Sequence, residues 1–127
     1  MNILTHRKID RKLCGDPVAV ENGSSRVRFT ATADMVVDDF GLVHGGFVFG
    51  LADHAAMIAV NDPNVVLGGA DVRFLKPVKT GERLVAVAEV KESAGKKRLV
   101  AVTVNRGGEA VFSGTFTCFV LEKHVLS

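Results

Sequence analysis

The sequence is poor in cysteine, with only Cys14 and Cys118 among 127 residues. They are far apart and form no C-x-x-C, which excludes a disulfide framework and argues against a zinc knuckle. Charge of one sign is also lacking. Sixteen Lys and Arg against fourteen Asp and Glu leave a net charge of +2, too little for a strongly basic nucleic-acid binder. Nor is there a long apolar run. The least charged stretch, 41–52, is broken by Gly and His and stops at Asp53, far short of the roughly 20 residues a membrane span needs. The first ten residues hold no apolar core of signal-peptide length. Internal repeats, low-complexity runs and linkers are absent. The expectation is one soluble cytoplasmic domain over 1–127, with reduced thiols, no metal, no nucleic-acid partner and no membrane partner.

What is present fits that picture. With 47% hydrophobic and 24% charged residues the chain is not disordered. Its mean hydropathy of +0.24 is high for a small monomer, so part of the apolar surface is expected to face another copy.

Ile3 to Leu13 holds good helix formers and stops at Gly15-Asp16-Pro17, predicting a short N-terminal helix within 1–15. Val18 to Glu21 and Arg26 to Ala33 read as strands joined by a tight turn at Asn22-Gly23. Val27, Phe29 and Ala31 alternate with Arg28, Thr30 and Thr32, the pattern of a sheet with one buried face. An irregular loop, 34–43, runs into His44-Gly45-Gly46 and then a stretch apolar on every side. That stretch predicts a buried central helix over 45–60, ended by Asn61-Asp62-Pro63. Strands follow at 65–78 (interrupted by Gly68-Gly69), 84–90, 99–105 and 111–121. The expected order is two strands, a buried helix, then a four-strand antiparallel meander: an α+β fold whose sheet of about six strands curls around one helix.

Two features of the helix could do chemistry. A carboxylate at Asp53, among apolar neighbours, costs several kcal/mol unless paired, hydrated or open to a cleft. It is either a core Asp satisfied by local donors or an acid–base group whose pKa burial has raised. His44-Gly45-Gly46 leaves bare N–H groups at the positive end of the helix, which could hold an oxyanion or merely allow a sharp turn. Gly46 and Asp53 are seven residues apart, so they share a face but stand roughly 10 Å apart along the axis. One carbonyl cannot meet both within one protomer. If both act, Asp53 faces the helix entrance of a second copy, and two equal sites form across a two-fold axis.

Gly41-Leu42-Val43-His44-Gly45-Gly46-x6-Asp53 resembles the hotdog-fold thioesterases of the PaaI-like (phenylacetic-acid-degradation) group. The strand order and the segment Asp71-Val-Arg-Phe-Leu-Lys-Pro77-Val-Lys-Thr-Gly81 are similar too, over about residues 16–121. The resemblance implies a hotdog fold and hydrolysis of an acyl-CoA thioester. Asp53 would be base or nucleophile, the base being preferred. The Gly46 amide, with Gly45, would hold the thioester oxygen, and His44 would orient that loop or the carbonyl. No cofactor is implied, since CoA belongs to the substrate. A homodimer is expected, and a dimer of dimers is the next possible assembly.

His54 follows Asp53 directly, about 100° around the helix, so it is expected to pack or hydrogen-bond at the subunit interface rather than share a reacting atom. Segment 71–106 holds nine Lys and Arg against four Asp and Glu. Arg73, Lys76, Lys96 and Arg98 are its candidates for CoA phosphates, unless they only keep turns solvated. Phe47, Gly68 and Gly69 complete the candidate substrate set; Phe47 and Phe49 also suit core or interface. Two other readings remain. One is a non-catalytic acyl-CoA-binding hotdog module, although about fifteen residues before the fold are too few for a helix-turn-helix. The other is a hotdog hydratase or dehydratase, whose D-x4-H string is not found.

Overall fold

Alternation in the sequence is what builds the first hairpin. In β2 (Ser24–Thr30), Ser25, Val27 and Phe29 are buried while Arg26, Arg28 and Thr30 are exposed. It pairs antiparallel with β1 (Asp16–Glu21) through the Asn22-Gly23 turn, where Gly23 has φ +82°, a region glycine enters without steric cost. These contacts come from a computed structural model covering residues 1–127.

The central helix α2 runs Gly45–Val60, as the apolar run predicts. His44 precedes it in extended conformation, and Asn61 ends it in the left-handed region, its N–H donating to the Met57 carbonyl. The helix packs on β2, β4 (Arg83–Ala94) and β5 (Lys97–Arg106). Leu51, Met57 and Ile58 from the helix meet Leu84, Val100, Val102, Phe112 and Phe116 from the sheet in one core.

With β3 at Val65–Phe74 and β6 at Glu109–Val120, the sheet order is β1-β2-β4-β5-β6-β3, antiparallel at every pairing. This corrects the expected four-strand meander. Only β4, β5 and β6 form one; β3 lies at the far edge beside β6. The connection 75–82 is no hairpin. The N–H groups of Leu75 and Lys76 donate to the Val111 carbonyl, Val43 N–H donates to Val78 O, and Pro77 stiffens the crossing. That route brings β4 beside β2. The strands also run longer than their apolar cores, with Glu92 to Lys97 pairing almost to the Gly95 turn.

Between Leu67 and Gly69 the register of β3 slips, so the Gly68-Gly69 break is a bulge. Further along the pairing, opposite Val72, Gly114 is required by a close approach: a Cβ there would stand 2.8 Å from the Asp71 carbonyl oxygen. The outer edge of β3 pairs with nothing in the chain, and Gly69, Ala70 and Asp71 are exposed along it.

The N-terminal helix is much shorter than expected, spanning only Arg11–Cys14. Two local effects restart the chain. His6 sits at φ +54°, unfavourable for a non-glycine helix residue, and the Asp10 carboxylate caps the N–H groups of Lys12 and Leu13 at 2.9 and 3.1 Å. Residues before it form a strap. The Asn61 side chain accepts from Leu4 N–H and donates to the Asn2 carbonyl, both at 2.8 Å. Six antiparallel strands wrapped on one long helix constitute the hotdog fold.

Candidate functional site

The helix entrance is held from both sides. Val43 N–H donates to Val78 O at 2.8 Å and His44 N–H to Met35 O at 3.0 Å. Within the first turn, Phe47 N–H bonds back to His44 O at 3.1 Å, whereas the N–H groups of Gly45 and Gly46 donate to nothing in the chain. Two aromatic rings flank these bare amides. The His44 imidazole lies so near Gly46 that a Cβ there would stand 2.8 Å from Nε2, and the Phe74 ring covers Gly45 at 3.1 Å from such a Cβ. The entrance thus pairs free donors with the positive helix end, the arrangement that stabilises a developing negative oxygen.

Asp53 is half-buried, and its Oδ1 is buried with no hydrogen-bond partner. Desolvation pushes its pKa from 3.8 to about 6, because no donor offsets the cost of charging it. Its surroundings are apolar and thiol-bearing. Burial, with the nearby Asp53 charge adding to it, pushes Cys118 up to about 12. Burial, then Asp10 and Asp53, also raises Cys14. Both thiols therefore stay protonated near neutrality and make poor nucleophiles.

Within one protomer the sheet leaves one side of the apolar helix uncovered, the side expected to face another copy. Gly46, Phe49, Gly50 and Asp53 are incompletely buried, while Val48, Leu51, Ala52 and 54–59 are buried. Steps of three and four residues place the uncovered set on one stripe. None of the five main clefts of the protomer is lined by Asp53, Gly45 or Gly46. The stripe is open on a surface rather than sunk in a monomeric pocket.

Other candidates separate clearly. His54 is 2% exposed, and its Nδ1 lies 3.0 Å from the Cys14 carbonyl oxygen. It joins α2 to the short N-terminal helix, Arg11–Cys14, inside its own protomer, which corrects its expected place at a subunit interface. Burial lowers its pKa, so the neutral ring donates to that carbonyl. Phe49 packs on Phe116 with ring centroids 5.4 Å apart, while Phe47 meets His44 edge-on at 6.1 Å. Gly68 faces the Phe119 ring, which a Cβ would overlap; Gly69 is open.

The four basic candidates are not one cluster. Arg73 pairs with Ser113, whereas Arg98 pairs with Cys118, roughly 17 Å further along β6. Arg98 also donates to the carbonyls of Gly95 and Lys97 at 2.7 and 3.0 Å, folding onto its own turn. Phe74 was not among the expected site residues. It is 56% exposed, with its ring against Gly45. No group of three His, Cys, Asp or Glu side chains gathers as a metal site, and no helix is long and apolar enough to cross a membrane.

Comparison with known proteins matches residues 40–112 to the thioesterase superfamily. The chain is 49% identical over 123 residues to methylthioribose-1-phosphate isomerase of Aquifex aeolicus, covering 96% of this chain and 27% of that protein. It is 32% identical over 116 residues to transcription factor FapR of Caldanaerobacter subterraneus, covering 91% of this chain and 58% of FapR. The chain therefore spans less than two thirds of either relative. Among solved structures, an uncharacterized protein of Pyrococcus horikoshii has a TM-score of 0.99 at 53% identity, covering 100% of this chain and 98% of the other. The PaaI protein of the E. coli phenylacetic acid degradation operon has a TM-score of 0.75 at 26% identity, covering 82% and 81%.

Proposed function

This chain belongs to the thioesterase superfamily, and from that premise we propose that it hydrolyses an acyl-CoA thioester at a site shared by two protomers. Within the superfamily we read it with the PaaI-like group, on the string His44-Gly45-Gly46-x6-Asp53. The observation that carries the reading is the partnerless, buried Oδ1 of Asp53, whose pKa near 6 suits a base at neutral pH.

In this mechanism Asp53 takes a proton from a water, and the hydroxide oxygen bonds to the thioester carbonyl carbon. The carbonyl oxygen gains the electron pair and accepts hydrogen bonds from the Gly46 and Gly45 amides of the facing subunit. Collapse re-forms the carbonyl and breaks the carbon–sulfur bond. The thiolate leaves without prior protonation, because a thiol ionises near pH ~8.5. His44, over Gly46, would orient the carbonyl, and Phe47 and Phe74 would line the acyl group.

The shared site follows from two open surfaces. One is the helix stripe Gly46-Phe49-Gly50-Asp53; the other is the unpaired edge of β3. Antiparallel pairing of two β3 edges about a two-fold axis would bring the Lys96 and Arg98 end of one protomer to the same end of the joint sheet as the partner's Arg73 and Lys76, three strand spacings (~14 Å) away. Gly68 and Gly69, near the middle of that edge, would allow the close approach. The test is a panel of acyl-CoAs followed with a thiol-reactive dye. Turnover that disappears in Asp53→Ala while the assembly persists supports the reading; no turnover on any member refutes it.

The similarity to a transcription factor favours a second reading, a hotdog module without catalysis, for which an intact acyl-CoA is the ligand to test. Tight binding of an intact acyl-CoA, with Asp53→Ala changing affinity but no product formed, would select it.

A further inference from the structure

We infer that the cleft between the two ends of the chain binds an organic phosphate, a dianionic phosphate group carried on an apolar or flat body such as a nucleoside. The cleft measures about 590 Å³ and lies between the N-terminal strap, the start of β3 and the C-terminal segment. Its volume falls within the roughly 300–1,000 Å³ range of small-molecule sites.

The lining supplies two kinds of surface. His6, Arg7, Lys8 and His124 provide nitrogen donors, and no Asp or Glu lines the cleft. Val65 and Val66 provide an apolar wall. Neither Arg7 nor Lys8 forms an ion pair, whereas Arg11, Arg28, Lys91 and Arg106 all do. The neighbouring Asp62 carboxylate accepts from Asn64 N–H at 2.8 Å. Thr5 Oγ1 lies 2.9 Å from His6 Nδ1, and Leu126 N–H donates to His124 Nδ1. Each imidazole therefore keeps Nε2 for a ligand. Convergent cations with no competing carboxylate are what phosphate recognition requires.

The strap is held in place. Asn61 clamps Asn2 and Leu4 through both ends of its amide, Thr5 is buried, and Ile9 N–H closes a turn onto His6 O. His6 itself is held at φ +54°, a strained conformation retained only where surrounding contacts enforce it. Three successive basic residues are thus presented by a braced turn. The cleft sits at the C-terminal end of α2, away from Gly45 by the length of the sixteen-residue helix, about 24 Å.

Two sources carry this chemistry: a free nucleotide, or the nucleotide half of an acyl-CoA, which alone rests on the thioesterase reading. The test titrates adenosine 3′,5′-bisphosphate calorimetrically against wild type, the double variant Arg7→Ala/Lys8→Ala, and Arg26→Ala, which removes an exposed cation on β2. Binding to wild type, weakened about tenfold or more in the double variant and unchanged in Arg26→Ala, is expected. No binding to wild type, equal binding in the double variant, or equal weakening in Arg26→Ala overturns the site. The source is read from KM for an acyl-CoA and for the same acyl group on N-acetylcysteamine. A rise for acyl-CoA alone in the double variant identifies the substrate's own nucleotide; unchanged values for both identify a free nucleotide. If no thioester turns over, the titration still decides the cleft independently.

Discussion

Asp53 stands two turns beyond Gly46 on the same face of α2, with about 10 Å between them along the helix axis. The bare amide and the unpaired carboxylate are therefore too far apart to meet one carbonyl and its attacking water within one protomer. The half-covered surface of Phe49 and Gly50 lies between them. On the proposed reading, that spacing ties reactivity to assembly.

Asp53 dominates the pH response. As a base it must be ionised, so hydrolysis is expected to rise as pH passes through about 6, and Asp53→Asn should abolish the rise with at least about a hundredfold loss of kcat. Stability moves the other way. The folded chain holds this proton more tightly than the unfolded one, where the group titrates near 3.8. The contribution is full below about pH 4 and is lost by pH 6, up to about 3 kcal/mol. Urea denaturation should accordingly find Asp53→Asn more stable than wild type at pH 7.5, by a margin that shrinks toward pH 4. An equal margin at both pH values would contradict an ionised, unpaired Asp53.

His54 sets the opposite limb. Burial lowers its pKa, so its contribution is present above 6.5 and is lost as pH falls below that value. His54→Leu leaves the Cys14 carbonyl without its donor, which should cost about 1–3 kcal/mol at pH 7.5. It should also flatten the acid-side loss. Chemical denaturation at pH 7.5 and pH 5 reads both effects, and kcat at pH 8 should change less than stability does.

The helix and its entrance were legible because their signals are local. The glycine pair fixes the start, the apolar run the body, and Asn61-Asp62-Pro63 the stop. The place of β3 was not, since sequence neighbours usually pair while the strand's real partner depends on how 75–82 crosses the fold. The Lys- and Arg-rich start has helix propensity, but Asn61 holds Asn2 and Leu4 as a strap instead. Sequence could flag Asp53 as costly; only packing reveals that no donor reaches Oδ1. Polar strand ends such as Glu92 and Ser93 hide their pairing because exposed sheet positions need no apolar side chain.

Gly114 tests the edge strand. A Cβ there meets backbone, the Asp71 carbonyl oxygen at 2.8 Å and the Val72 Cα at 3.1 Å, and backbone cannot swing aside. Gly114→Ala should cost about 1–3 kcal/mol and loosen β3 from β6, read as faster amide exchange across 69–73. If two β3 edges form the dimer contact, the same variant should weaken association. Unchanged exchange would mean that β3 and β6 stay paired and that the close approach at Gly114 is not limiting.

The shared site makes a stronger prediction by complementation. Asp53→Ala removes the base, and Gly46→Val sets a branched side chain against His44, where even a Cβ stands 2.8 Å from Nε2. Each homodimer should be inactive. A mixed dimer keeps one intact site, using Asp53 from the Gly46→Val chain and Gly46 from the Asp53→Ala chain, while its other site lacks both. Random exchange of equal amounts makes half the dimers mixed, so activity should recover to about a quarter of wild type. The recovery should follow the rate of subunit exchange. If base and amides act within one chain, every protomer in the mixture is defective and no activity returns, however complete the exchange.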